Sequence, residues 1–248
     1  MRTIDLRGDL KRFYAPRLGA LELIEVPAFQ FLMVDGQVAA GERPGESAGF
    51  QADVGALYGA VYTLKFAFKK REVDPVDFPV MALEGLWPAD IAGFEGARLE
   101  PWAYTLMIME PDMVTPADLA AAVGAVRTKR GPNPALDRLR LERFEEGLCV
   151  QALHVGPYAT EPATIDRMRA FMAAEGLRPR GRHHEIYLGD PRRADPAKLM
   201  TVLRQPVTQD ARGAGATGAD GSQPTGVPQS VNQRTIPSPI EKWAESIE

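Results

Sequence analysis

Two stretches of this chain carry the same residues at the same offsets, and each opens the same run of elements. Gln30, Leu32 and Val34 recur as Gln151, Leu153 and Val155, in apolar runs closed by Asp35-Gly36 and by Gly156-Pro157. These runs read as strands. After the first, Phe50, Val54, Leu57, Val61, Leu64 and Phe68 return every three or four residues, the spacing of an amphipathic helix. Strands are expected next at 78–86 and 102–109. After the second run a helix opens at Thr160. It carries Ile165, Met168, Phe171 and Met172 on one face, and Gly176 ends it. Strands follow at 184–188 and 200–204. Strand, helix, strand, strand is written twice. Tandem βαββ modules of this kind build a pseudo-symmetric α+β domain with a ligand cleft at the pseudo-two-fold. The domain is placed at 1–207, with halves at about 20–112 and 136–207. Between them Thr115-Pro116-Ala117-Asp118 starts a further helix, with Thr as N-cap and Pro at the first helical position.

Composition limits the partners. The 248 residues are 45% apolar and 25% charged, the balance of a globular protein. The formal charge of −4 disfavours a non-specific nucleic-acid binder, which needs a basic face. The basic runs at 69–71, 128–130 and 178–182 lack interleaved aromatics and read as solvated element ends. No stretch approaches the ~18 apolar residues of a membrane span. Charges in Met1–Arg7 stand where a signal peptide needs an apolar run, so a cytoplasmic protein is expected, as a monomer or weak homodimer. Beyond Pro206 the chain turns to Gly, Ala, Ser, Thr, Gln and Pro. Such a segment buries too little apolar area to order itself, so 208–248 reads as a disordered tail. A short helix at 240–247 would carry Trp243.

The most informative residues are two glutamates inside apolar strands, Glu84 and Glu185. A charged residue there must face solvent, a partner or a ligand. A solvent-facing strand position is one reading. The other is a carboxylate in an aromatic pocket, its pKa raised by desolvation, able to attract a cationic ligand or hold a water as general base. Trp87, Trp102, Tyr104, Tyr158 and Tyr187 lie near the same strands and suit flat or cationic ligands, although any one of them can equally be core. Strand alternation pairs Glu185 with Tyr187 and Trp102 with Tyr104. Trp87 lies an odd step from Glu84, so one of them turns away unless Gly85 makes a bulge. Other chemistry is weakly supported. His183 and Glu185 could share a metal, but a third ligand is missing. Cys149 with His154 could form a thiol dyad, but the lone cysteine sits in an apolar strand. No phosphate-binding glycine motif is present, and no cofactor is expected.

Four motifs carry a resemblance: Glu84-Gly85-Leu86-Trp87; Trp102 to Asp112; His154-Val155-Gly156-Pro157-Tyr158; and His183 to Pro191. In this order and spacing they resemble the GyrI-like small-molecule-binding family, over about 6–207, and within it the stand-alone branch. The resemblance implies a tandem βαββ fold with a central cleft. By strand position it places at Glu185 the glutamate that binds cationic lipophilic drugs in regulator members. The stand-alone branch includes cyclopropanoid cyclopropyl hydrolases, which open DNA-alkylating natural products of the yatakemycin class with water. On that resemblance Trp87, Trp102 and Tyr187 form an aromatic cage with Tyr158 nearby. Glu185 or Glu84 holds the water, and a tyrosine hydroxyl donates to the dienone oxygen. Tyr104 adds to the wall. Pro88 and Pro101 stand where that branch usually has aromatics, which thins the cage. Three functions follow: a self-protective hydrolase; a non-catalytic binder or sensor of flat or cationic lipophilic compounds; and a regulator acting by protein contact. The residues before the first strands are too few for a helix-turn-helix with its supporting core.

Overall fold

The computed structural model describes residues 1–44, 47–88, 101–189 and 194–209. In chain order the elements are β1 (Arg2–Thr3), α1 (Leu6–Asp9), α2 (Lys11–Tyr14), β2 (Leu21–Val26), β3 (Phe29–Val38), α3 (Ala48–Lys69), β4 (Val76–Asp77) and β5 (Leu83–Trp87). Then come β6 (Trp102–Met109), α4 (Pro116–Arg130), β7 (Arg140–Phe144), β8 (Gly147–Val155), α5 (Glu161–Ala174), β9 (Leu177–Pro179), β10 (His183–Tyr187) and β11 (Met200–Gln209). The fold is α+β, built on one large antiparallel sheet.

The sheet runs β2-β8-β11-β10-β5-β6-β3-β7, with β9 on the far end of β11. Outward from the central β5–β10 pair the order is β5-β6-β3 on one side and β10-β11-β8 on the other. In sequence these are β3-α3-β5-β6 and β8-α5-β10-β11, so both halves pair their strands in the same order. The central register sets Glu185 opposite Gly85, Ile186 opposite Glu84 and Tyr187 opposite Leu83. Directly opposed residues share a face, and neighbours along a strand alternate. One face of the centre therefore carries Gly85, Trp87, His183, Glu185 and Tyr187. The other carries Glu84, Leu86, His184 and Ile186.

Helices α3 and α5 both cover the first of these faces. Phe50, in the first turn of α3, stacks on Trp87 at 6.3 Å and meets Tyr104 edge-on at 5.1 Å. Met168 and Met172 of α5 pack with Val150, Ala152 and Leu203 of the sheet. The main core includes Leu32, Val34, Val54, Leu57, Val61, Leu106 and Ile108, all fully buried. Each such side chain contributes about 1.5–3 kcal/mol. The second face is closed in part by α2, whose Tyr14 is buried. Helix α4 starts with a capping box: Thr115 Oγ1 accepts from the Asp118 amide at 3.2 Å, and Asp118 accepts from the Thr115 amide at 2.9 Å. Such a cap contributes about 1 kcal/mol.

Several sequence expectations shift. Asp35-Gly36 does not end β3. The strand continues to Val38, with Gly36 opposite Tyr104. A Cβ on Gly36 would fall on the Tyr104 ring, so the glycine serves close packing rather than a turn. Of the strand expected at 78–86 only the end forms, as β5 (Leu83–Trp87); β4 precedes that range and pairs with β1 in a separate two-stranded sheet. The last strand passes Pro206 and ends at Gln209. Pro206 lacks an N–H, but its carbonyl accepts from the Arg180 amide at 2.8 Å. Residues 210–248, with the expected tail and the helix around Trp243, lie outside the described residues, as do Asp190 and Pro191 of the last motif.

Candidate functional site

The site face is centred on a chain of three side chains. The Trp87 indole N–H donates to Tyr187 Oη at 3.1 Å, and Tyr187 donates its own proton to Glu185 Oε2 at 2.7 Å. Gly85 makes this possible. A Cβ there would sit 2.8 Å from Trp87 Nε1, so only glycine lets the indole fold back across the strand. No bulge is needed: β5 keeps register with both neighbours. Of the pair an odd step apart, Trp87 takes the site face and Glu84 turns away.

The aromatic residues expected from sequence converge here. Trp87 lies 5.4 Å from Trp102 and 5.8 Å from Tyr104 between ring centres, and Tyr158 meets Tyr187 edge-on at 5.8 Å. None of the five is more than 7% exposed. Phe50, read from sequence only as a helix-face residue, completes the wall against Trp87. The Tyr104 hydroxyl is spent within the fold, donating to Asp53 at 2.8 Å; Asp53 also pairs with Arg138.

Glu185 is 2% exposed. Burial raises its pKa. The Tyr187 hydrogen bond, the His184 charge across the strand and the Trp87 N–H each pull it back down. A second buried carboxyl, Glu161 at the start of α5, faces the same space. Burial pushes its pKa well up, the charge of Glu185 adds to this, and the Thr201 hydroxyl opposes it. Two buried carboxyls that feel each other titrate as a pair, and the first proton is held tightly. Burial and Glu185 also hold the Tyr187 proton firmly on its oxygen. Tyr187 is therefore a donor, and its proton goes to Glu185. Glu161 was not singled out from sequence. An acid in the first turn of a helix looks like an ordinary partner of the helix dipole, and only its 3% exposure marks it.

Glu84 belongs to a different constellation on the opposite face. It accepts from Tyr14 Oη at 2.6 Å and lies 2.9 Å from His184 Nε2. His184 Nδ1 lies 3.0 Å from Glu146, and Glu146 accepts from Arg204 at 2.8 Å. Arg204 also donates to the Phe13 carbonyl at 2.6 Å. Burial alone would lower His184, but Glu146 and Glu84 raise it to about 9. Burial would raise Glu146, but His184 and Arg204 bring it to about 2. The structure thus separates the two sequence-selected glutamates: Glu185 faces the aromatic cluster, and Glu84 sits in a closed ion network.

The remaining candidates resolve simply. Cys149 and His154 sit an odd number of residues apart on β8 and face opposite sides of the sheet. Burial pushes the Cys149 thiol up to about 12. His154 is held by Thr164 at 3.0 Å and by the Pro157 carbonyl at 3.2 Å. Among the described residues no three His, Cys, Asp or Glu side chains converge as metal ligands, and no helix is long and apolar enough to cross a membrane.

An antiparallel sheet with two helices over one face and a buried carboxyl under an aromatic wall on that face defines a small-molecule-binding domain. The chain belongs to the GyrI-like small molecule binding domain family, whose pattern matches residues 20–207. Two hydrolases from Listeria innocua have similar structures. One is 39% identical, covering 83% of this chain and all of its own, with a TM-score of 0.70. The other is 38% identical, covering 84% of this chain and all of its own, with a TM-score of 0.72. An uncharacterized conserved protein from the same organism is 41% identical over 83% of this chain and all of its own, with a TM-score of 0.73. No curated protein matches the chain.

Proposed function

We propose that this protein hydrolyses the cyclopropane of electrophilic, DNA-alkylating natural products of the yatakemycin class, as a self-protection enzyme. The observation that carries the reading is the Trp87–Tyr187–Glu185 chain beneath Trp102, Tyr104 and Tyr158. It combines a flat aromatic surface with an oriented carboxylate in a dry setting. The hydrolase relatives support the reaction class.

In this reading the aromatic rings align the flat substrate. Glu185, held by Tyr187, takes a proton from a water aimed at the cyclopropane methylene. The water oxygen forms the new C–O bond as the strained C–C bond breaks. The electron pair of that bond passes into the conjugated dienone, which becomes a phenolate and then, by proton uptake, a phenol. Atoms balance as one water added. The Glu161 carboxyl, kept neutral by burial and by Glu185, is the proton donor on the same face. Glu84 takes no part in this step. Its oxygens are engaged by Tyr14 and His184 on the opposite face, away from the aromatic rings, so the water-holding role offered to either glutamate goes to Glu185.

The test is mass-spectrometric turnover of a spirocyclopropyl dienone alkylator. Wild type should yield a product heavier by one water over many turnovers, and Glu185→Gln should bind the compound without converting it. Retention of intact compound by wild type, with no water adduct, would replace the hydrolase with the binder or sensor.

A further inference from the structure

We propose that Arg138 and Asp53 are positioning residues of the site: from outside the aromatic wall they fix where the Tyr104 ring stands, and so how tightly the wall holds a flat substrate. The inference rests on the hydrolytic reading above and deepens it.

Three other segments close on Tyr104. Its ring crosses β3 over Gly36, where a Cβ would meet both the ring and Asp53. Its hydroxyl donates to Asp53 Oδ2 at 2.8 Å, and Asp53, on α3, is 1% exposed. Arg138 ends the single turn Pro134–Arg138 ahead of β7. It donates to the other Asp53 oxygen and to the Asp35 carbonyl of β3. Asp35 directly precedes Gly36, so Arg138 ties α3 to β3 where the ring crosses. Asn133, at the head of the same turn, donates to the Ala52 carbonyl at 2.9 Å and adds a second tie to α3.

Packing alone does not ask for this arrangement. Phenylalanine at 104 over an apolar residue at 53 would fill similar space without burying a charge. What the polar set adds is direction. Burial raises the pKa of Asp53, and the hydrogen bonds from Arg138 and Tyr104 pull it back down. An ionised carboxylate only accepts, so Tyr104 must donate to it, through a charge-assisted bond. The ring is then held at its hydroxyl as well as by its neighbours. Those neighbours are the site. Tyr104 lies 5.8 Å from Trp87 and 5.1 Å from Phe50 between ring centres. Phe50 stands one turn ahead of Asp53 on α3, so one anchor holds two of the rings against Trp87. Glu185 and Tyr187 stand on β10, across β5 from Tyr104. Loosening the anchor therefore weakens the grip on the substrate and leaves the proton transfer alone. The Arg138 side chain is 45% exposed, so exchanging it opens no hole in the core.

The experiment combines steady-state kinetics on the spirocyclopropyl dienone with the ¹H–¹⁵N resonance of the Trp87 indole, assigned by Trp87→Phe. Arg138→Met should raise KM about tenfold with kcat within about twofold, the mark of lost binding shared by ground and transition states. It should also shift the indole resonance, because the rings beside it move. Arg138→Lys, which keeps the charge, should recover most of both. Tyr104→Phe should match Arg138→Met, and the double variant should be no worse than either, since the link is already cut. An ion pair that only stabilises the fold gives a lower urea midpoint with KM and the indole resonance unchanged. That result overturns the proposal and leaves the hydrolase intact. If wild type does not turn over, the hydrolase reading falls by itself, and the indole resonance decides the anchor. A shift in Arg138→Met that disappears in the Tyr104→Phe background upholds it; an unmoved resonance overturns it.

Discussion

Gly85→Ala tests how the Glu-Gly-Leu-Trp motif builds the site. The new Cβ would lie 2.8 Å from Trp87 Nε1, 3.0 Å from Cε2 and 3.2 Å from Cζ2. Ordinary carbon contacts lie near 3.5–4.0 Å, so the indole must move by about 0.5–1 Å. Its 3.1 Å bond to Tyr187 has no such slack. Overpacking of this kind costs about 1–3 kcal/mol. Against that, Gly85 is not among the glycines with positive φ, so alanine fits the backbone and restricts the unfolded chain, a gain of about 0.4–1 kcal/mol. The net expectation is a loss of about 1–2 kcal/mol. The sign should reverse in a Trp87→Phe background, where the atoms that the Cβ meets are gone and only the backbone gain remains. Urea denaturation of the four proteins in this cycle gives the coupling, expected at about 1–3 kcal/mol. Additive single effects, with coupling under about 0.5 kcal/mol, would refute the claim that glycine is there for the indole.

Two further predictions concern buried charge. Glu110 is 2% exposed with neither oxygen hydrogen-bonded, and burial pushes its pKa up to about 8. A raised carboxyl pKa favours folding fully below the unfolded value near 4.5, and that contribution is lost as pH rises through 8. The change is at most about 5 kcal/mol. Glu110→Gln should flatten the fall in stability between pH 4.5 and 8.5, measured by chemical denaturation; an unchanged slope would show that Glu110 is not its source. Glu146→Gln leaves His184 and Arg204 buried with one anion fewer and should cost about 3–5 kcal/mol at pH 7. The lowered pKa of Glu146 means that wild type keeps this contribution above pH 4.5 and loses it as pH falls towards 2. A loss under 1 kcal/mol at pH 7 would count against the network.

The elements legible in the sequence are those whose pattern is local. Residues 102–109 read as an apolar strand, and the capping box of α4 is written in Thr115, Pro116 and Asp118. Strand β7 was not legible. Arg140, Glu142 and Arg143 give it a charged look, which suits its place at the sheet edge and hides it from a search for apolar alternation. Gly36 looked like a stop because a glycine after an aspartate is usually a turn; its real constraint is a ring from another strand. The two glutamates show the limit most directly. Each is a lone acid in an apolar strand, and nothing local tells them apart. Which face each takes depends on the register across the β5–β10 pair, and a shift of one residue in that pairing would put both on the same face. Glu161 was hidden for a related reason: its helix-start position explains it fully until the sheet beneath is known.

The two faces of the central strands are physically linked through adjacent residues of β10. His184 and Glu185 are neighbours in the chain and point to opposite sides. On one side Glu146 and Glu84 hold a positive charge on His184. On the other, that charge helps to lower the pKa of Glu185 against the burial that raises it. The ion network therefore has a consequence beyond stability. It fixes a cation one residue from the candidate base, in a region where buried charges are felt strongly. Removing that cation should leave Glu185 protonated to a higher pH even if the aromatic wall stays in place. Glu84, selected from sequence as a direct participant, then affects the site at one remove, by helping to keep His184 charged.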